Sequence, residues 1–226
     1  MGHSPPGGYR ALSAFQLATV IYDATVSFCD RFIDARSRLV DQMVQAARCG
    51  RQNIAEESRA GLLAPDTEKR LKNVARASLD ELLLDYEDYL RQRSLPQWKR
   101  DQPEAEAVLR VWKERRDDPA VQVASSSMDW RRLDDLHREW YAPWLGEGAT
   151  AIIQANALIC LINQANYRLD RALQQHAVRL TPPEENPCCP VCGAAMVMRT
   201  KMNASGSGNQ FWGCSRSPDC RGTRPR

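Results

Sequence analysis

The sequence predicts an all-α protein, an antiparallel four-helix bundle with a helical insertion between its third and fourth helices, that carries a small C-terminal β ribbon built on cysteine. Three observations lead there. Apolar residues recur at gaps of three and four along four long segments, the spacing of one helix face. The stretch 94–147 has a different texture and holds five of the six tryptophans. Two close cysteine pairs then follow a proline-rich segment near the end of the chain.

Residues 1–10 read as a flexible, Gly/Pro-rich lead-in. The first helix is drawn through Phe15, Ala18, Tyr22, Val26, Cys29 and Ile33, with a break over Asp34 to Ser37. The second follows Leu39, Met43, Ala46, Gly50 and Ile54 and is ended by Gly61. Pro65 and Asp66 open the third, with Asp66 as its cap and Glu68 in the first turn. Its stripe is Leu71, Ala75, Leu79, Leu82, Tyr86 and Tyr89, and Ser94-Leu95-Pro96 stops it. Within 94–147 two short helices are expected, near 104–116 and 129–141. The tryptophans there (Trp98, Trp112, Trp130, Trp140, Trp144) read as anchors packing the insertion onto the bundle. A base-stacking surface is the alternative, but eleven acidic side chains against nine basic ones would repel phosphates.

After Gly146 and Gly148 the fourth helix runs through Ile152, Ala155, Ile159, Ile162, Asn166, Leu169 and Leu173 as a heptad pattern. Beside it lie Asn156, Asn163 and Asp170, each seven residues after the last, read as an interhelical hydrogen-bond network in preference to a ligand site. The resulting division is a lead-in over 1–10, a bundle over 11–179 with its insertion at 94–147, a proline-stiffened linker over 180–187 and a ribbon over 188–226.

Charge is unevenly placed. From Cys188 onward six basic residues (Arg199, Lys201, Arg216, Arg221, Arg224, Arg226) face one acid, Asp219, whereas the first 187 residues hold 25 basic and 27 acidic side chains. If an anionic polymer binds through bulk charge, the C-terminal segment is the place. No stretch has the uninterrupted apolar length of a membrane helix, and the opening lacks the apolar core of a signal peptide, so a soluble, cytoplasmic protein with no membrane partner is expected. Four cysteines (Cys29, Cys49, Cys160, Cys188) are scattered, and four sit at metal-ligand spacing, which suits a reducing compartment.

Those four are Cys189-Pro-Val-Cys192, with Gly193 next, then, after 21 residues intervening between Cys192 and Cys214, Cys214-Ser-Arg-Ser-Pro-Asp-Cys220. Two cysteines separated by two residues form a tight knuckle, and Gly193 permits the turn that aims amides at the thiolates. Tetrahedral sulfur coordination suits zinc. With all four positions taken by thiolates, the Zn2+ is expected to be structural, and its binding supplies folding energy that so short a segment lacks. Cys188 could substitute as a ligand, but the placing of Gly193 after Cys192 favours Cys189.

Cys189-Pro190-Val191-Cys192-Gly193, Met196, Arg199, Gly208, Phe211-Trp212-Gly213-Cys214-Ser215, Pro218 and Cys220-Arg221-Gly222-Thr223 resemble the zinc ribbons repeated at the C terminus of bacterial type IA topoisomerases. That resemblance implies binding of single-stranded DNA or RNA without strand cleavage. Phe211 or Trp212 would stack on a base, and Arg199, Lys201, Arg216 and Arg221 would hold phosphates. One of the two rings is expected to form the ribbon's own small core. Contact with protein is the competing role for a ribbon.

The helical part carries a second resemblance. Asp41-Gln42-Met43, Ala46-Ala47, Asn53-Ile54-Ala55-Glu56 and the run Asn73 to Leu82 look like the four-helix-bundle proteins encoded by ribosomal-RNA intervening sequences, over residues 11–93 and 149–176. Where that family usually has a glycine this chain has Glu57, which bears on a turn or close helix contact there. The resemblance implies a homo-oligomer, a pentamer in relatives. One branch, the accessory proteins of diversity-generating retroelements, implies a reverse transcriptase and nucleic acid as partners. No histidine accompanies Asp41, Glu56, Asp80 or Glu81 at di-metal spacing, and no phosphate-binding loop or nucleophile elbow is present. The expected function is therefore a non-enzymatic, oligomeric nucleic-acid-binding adaptor, and the alternative is a protein-interaction scaffold whose ribbon docks onto a polymerase or other enzyme.

Overall fold

The computed structural model describes residues 8–60, 65–115, 117–180, 187–202 and 208–225. It is mostly helical: α1 (Ser13–Phe32), α2 (Arg38–Ala60), α3 (Pro65–Gln92), α4 (Pro103–Arg115), α5 (Pro119–Ser126), α6 (Trp130–Leu145) and α7 (Ala151–Leu180) precede β1 (Met196–Met202), β2 (Gly208–Cys214) and β3 (Thr223–Pro225). The chain divides into two compact units, Met1–Leu169 and Asp170–Arg226. The expected linker 180–187 falls almost wholly outside the described residues, as do Gly61 and residues 1–7.

The first unit has one main core, to which α1, α2, α3 and α7 contribute most of the buried side chains and α4 and α6 add Ala105, Val108, Trp112 and Tyr141. In α1 the buried face is Leu17, Ala18, Ile21, Ala24, Thr25, Phe28 and Cys29, so the sequence stripe was drawn along its shoulder. The reason is Thr25, a polar residue that an apolar count passes over. Its hydroxyl donates to the Ile21 carbonyl (2.7 Å) and accepts from the Tyr86 hydroxyl (3.0 Å), which satisfies both buried groups. Residues Gly8–Ala11, where the expected lead-in ends, form one 3-10 turn, with Tyr9 edge-on to Phe15 at 4.8 Å.

Helices α2 and α3 approach closely at Gly50, where an added Cβ would lie 2.9 Å from Leu79. Helix α3 begins at Pro65, a favoured first position, so Asp66 lies in the first turn and not at the cap. The helix ends as Ser94-Leu95-Pro96 foretells. Ser94 has a φ of 53°, in the left-handed region, while its amide donates to the Arg91 carbonyl and that of Leu95 to the Leu90 carbonyl, the paired bonds of a Schellman cap.

The segment 94–147 holds three helices, not two. Helix α5 was missed because eight residues carry too little periodicity, although Asp118 followed by Pro119 is a start signal; the Asp118 carboxylate accepts from the Ala120 amide at 2.9 Å. Helix α6 outruns its expected end at 141 and continues through Pro143 to Leu145. Trp98, Trp112, Trp140 and Trp144 pack with the main core, and Trp130 joins a satellite cluster of Val121, Ala124, Leu133 and Leu136.

This segment explains why α7 is buried on every side from Gln154 to Ile162, as a helix covered all round must be. Asn156 accepts from the Trp98 amide (2.6 Å) and donates to the Pro96 carbonyl (3.0 Å), and Gln164 donates to the Leu109 carbonyl. Within the polar line Asn156, Asn163 and Asp170, Asn156 makes these bonds to the stretch between α3 and α4. Asn163 is exposed and turns back to the Ile159 carbonyl, whereas Asn166, from the heptad itself, reaches Asp80 at 2.6 Å.

Glu57, where the resembled family has glycine, is buried beside Lys72. The ammonium lies 3.0 Å from the Glu57 carboxylate and 2.5 Å from that of Glu68. Burial raises the Glu57 carboxyl above the usual range even though Lys72 lowers it. Lys72 therefore holds two desolvated acids together. Replacing it, in Lys72→Met, should cost about 3 kcal/mol in urea unfolding because the acids are left unpaired. Glu57→Gln should cost less than Lys72→Met, since Lys72 keeps Glu68 as its partner and burial already disfavours the Glu57 charge.

Candidate metal centre and ribbon surface

The second unit contains a three-stranded antiparallel sheet in the order β1-β2-β3. Its register sets Met196 opposite Cys214, Arg199 opposite Phe211, and Trp212 opposite Arg224. Residues 203–207, between β1 and β2, lie outside the described residues. The last turns of α7 belong to the same unit, and the Arg171 guanidinium there donates to the Ser217 carbonyl at 2.6 Å.

Two backbone turns bring the cysteines together. In the first, Gly193 takes a φ of 70°, its amide donates to the Cys189 carbonyl (2.9 Å), and the Cys189 amide donates to the Ala194 carbonyl (2.7 Å). In the second, the Ser217 amide donates to the Cys214 carbonyl and the Cys220 amide to that of Arg216. The Sγ atoms of Cys189, Cys192, Cys214 and Cys220 all lie within 4.8 Å of one another and could hold a metal ion. Two separations, Cys189 to Cys220 at 3.7 Å and Cys192 to Cys214 at 3.4 Å, are far beyond a disulfide bond of about 2.05 Å. They approach the ~3.8 Å edge of a sulfur tetrahedron with metal–sulfur bonds near 2.3 Å.

Cys188 stands outside this group. It is exposed and engaged in an isolated bridge to Ala195, so the choice of Cys189 from the position of Gly193 agrees with the geometry. Amide groups prepare the cluster for negative sulfur. The Val191 amide is the main cause that lowers the Cys189 thiol to about 7, and the Arg216 amide donates to the Cys214 sulfur at 3.4 Å. Burial works the other way on Cys214 and pushes its thiol up to about 12. Gly222, which the ribbon resemblance includes without a role, is a steric requirement: a Cβ there would overlap the Cys189 sulfur. Its signal was a glycine two residues past the last cysteine, whose carbonyl accepts from the Cys214 amide at 2.9 Å.

The two aromatic candidates separate cleanly. Adjacent strand residues point to opposite faces. Trp212 packs against the cysteines and Met196, and so belongs to the ribbon's core. Phe211 is half-buried outside that cluster and lines a cleft of about 220 Å³ with Arg199, Arg221 and Thr223. Among the phosphate-binding candidates, Arg216 and Arg221 are exposed. Arg199 is half-buried and partly committed. Its guanidinium donates to the Cys214 carbonyl at 3.3 Å, and its stem lies over Gly213, where a Cβ would meet it at 2.6 Å. The Lys201 side chain lies outside the described residues, though its backbone pairs with Asn209. Arg224, exposed on β3, is a cation the sequence reading left out of its site.

No protein-family model, curated protein or solved structure matches the chain. Among the described residues no helix is long and apolar enough to cross a membrane.

Elemental analysis of purified protein should find one metal ion per chain. Cys188→Ser should retain it and Cys189→Ser should lose it; retention in Cys189→Ser with loss in Cys188→Ser would reverse the ligand assignment.

Proposed function

We propose that the protein is a non-enzymatic nucleic-acid-binding adaptor whose ribbon holds a structural Zn2+ and binds single-stranded DNA or RNA. The observation that carries this reading is the position of Phe211. It is left out of the ribbon's core and placed in a cleft with Arg199 and Arg221 beside it. A ring flanked by cations accepts any base face at ~1–3 kcal/mol per stacked base, which gives sequence-tolerant binding of an unpaired strand. Four thiolates around zinc leave no position for a reactive water, so the metal's role is to fold the ribbon.

On this reading α1, α2, α3 and α7 form the antiparallel four-helix bundle that the sequence suggests, with α4 to α6 as its insertion. The bundle mediates assembly into a homo-oligomer, a pentamer by resemblance, and docks a protein partner such as a reverse transcriptase or another nucleic-acid enzyme in a reducing, cytoplasmic compartment. Several ribbons on one assembly would gain affinity through effective concentration.

A second reading is favoured by a different observation. Val191 on the first knuckle and Met198 on β1 are exposed, and apolar tips of this kind suit docking onto a polymerase or other enzyme as a protein-interaction scaffold. The two readings separate on salt. Single-strand binding should weaken with log salt at a slope of about 2–3 per ribbon, whereas docking through Val191 and Met198 should be nearly insensitive.

Fluorescence anisotropy with labelled single-stranded oligonucleotides should find salt-sensitive binding by the full chain and none by a truncation ending at Leu180. Phe211→Ala should weaken that binding by about 1–3 kcal/mol while retaining the metal. Equal binding by the truncation would move the activity to the helices, and no binding by either chain would leave the scaffold reading.

A further inference from the structure

The turn Gly8–Ala11 and helices α1, α2 and α6 line a cleft of about 460 Å³ within the first unit. That volume lies in the ~300–1,000 Å³ range of sites for small organic ligands. Three guanidinium groups converge on it, Arg10 from the turn and Arg51 and Arg59 from α2.

Each of the three is held against an aromatic ring. Arg10 and Arg59 lie over Tyr9 at 5.6 and 4.9 Å from its centroid, and Arg51 lies over Tyr22 at 4.1 Å. A stacked guanidinium uses its face and keeps its N–H edge for an acceptor. Arg31 shows what a satisfied edge looks like. Stacked on Phe32 in the same way, it donates to the Gly146, Glu147 and Ala149 carbonyls and to the Gln154 side chain. Among the described residues, the guanidinium groups of Arg10, Arg51 and Arg59 make no such hydrogen bond and no ion pair. Their edges are unspent, and they meet at one cleft.

Two acids share the lining, Glu56, which is exposed, and Asp134, which is half-buried. Burial raises the Asp134 carboxyl above the usual range and Asp23 adds to that, while Arg10 and Arg138 oppose it. With three cations against two acids the cleft keeps a positive balance, which favours an anion.

We propose that this cleft binds a small organic diphosphate, its oxygens engaging the edges of Arg10, Arg51 and Arg59 and its organic body filling the remaining space. Guanidinium and phosphate pair through two parallel charge-assisted hydrogen bonds, and a diphosphate has the acceptors to engage several arginines at once. A nucleic-acid strand fits less well, because a strand is held by a basic groove that tracks its backbone. Here the cations converge on one place, with two acids beside them, in a region of 25 basic and 27 acidic side chains. This inference goes beyond the nucleic-acid reading and does not depend on it.

Calorimetric titration of the full chain with ADP tests it. Saturable one-to-one binding is expected, with adenosine, the same body without phosphates, weaker by at least ~10-fold. The double variant Arg51→Gln/Arg59→Gln should weaken ADP by at least ~10-fold while the metal content and single-strand binding persist. Glu56→Gln removes an acid from the lining and should tighten ADP several-fold, a gain that misfolding would not produce. Absence of saturable heat with ADP at millimolar concentration would overturn the proposal, as would unchanged ADP affinity in the double variant. Loss of single-strand binding in that variant, in place of ADP binding, would also overturn it and assign the arginines to nucleic acid.

Discussion

Four sulfurs face one another in the ribbon with very little apolar surface behind them. The buried cluster consists of Cys189, Cys214, Cys220 and Met196, flanked by Ala194 and Trp212, so most of what the ribbon buries is itself ligand chemistry. A core of that size cannot offset the conformational entropy of ordering two knuckles and three strands. Coordination of one cation by the thiolates can, because binding of a structural metal is at the same time folding. The remaining features of the ribbon fit around that demand. Gly193 supplies the left-handed turn, Gly222 leaves space for the Cys189 sulfur, and Trp212 covers the cluster from β2. With Trp212 committed to the core, Phe211 is the ring left outside it, beside Arg199 and Arg221.

The helical unit solves a different problem, which is how to cover a helix that is apolar on more than one side. The middle of α7 presents Ala155, Leu158, Ile159, Leu161, Ile162 and Ala165, more buried surface than the neighbouring long helices need. The tryptophan-rich segment covers the rest. It is fixed at its start by Asn156, which exchanges hydrogen bonds with the Trp98 amide and the Pro96 carbonyl. The buried polar groups that make this arrangement specific (Thr25 with Tyr86, Asn166 with Asp80, Lys72 with Glu57 and Glu68) all bridge separate elements or separate turns.

These same groups explain how much could be read from sequence. Long apolar stripes placed α2, α3 and α7 well, and the break at Asp34 to Ser37 and the stop at Ser94 were legible because local backbone chemistry sets them. The face of α1 was misjudged because Thr25 owes its burial to a partner 61 residues away. Helix α5 was too short to show a period. At the ribbon, spacing and one glycine were enough to choose the four cysteines, since metal geometry constrains sequence directly. The division of labour between Phe211 and Trp212 was not legible, because it depends on which face of β2 meets the sulfurs.

The central claim is that the sulfur-bound metal builds the surface that binds nucleic acid. The direct test is to strip the metal from the intact protein with a chelator under reducing conditions and follow single-strand anisotropy together with far-ultraviolet circular dichroism. The account predicts that binding is lost while the helical signal persists, and that both return to their starting values when zinc is restored. Undiminished binding by the metal-free protein would contradict it.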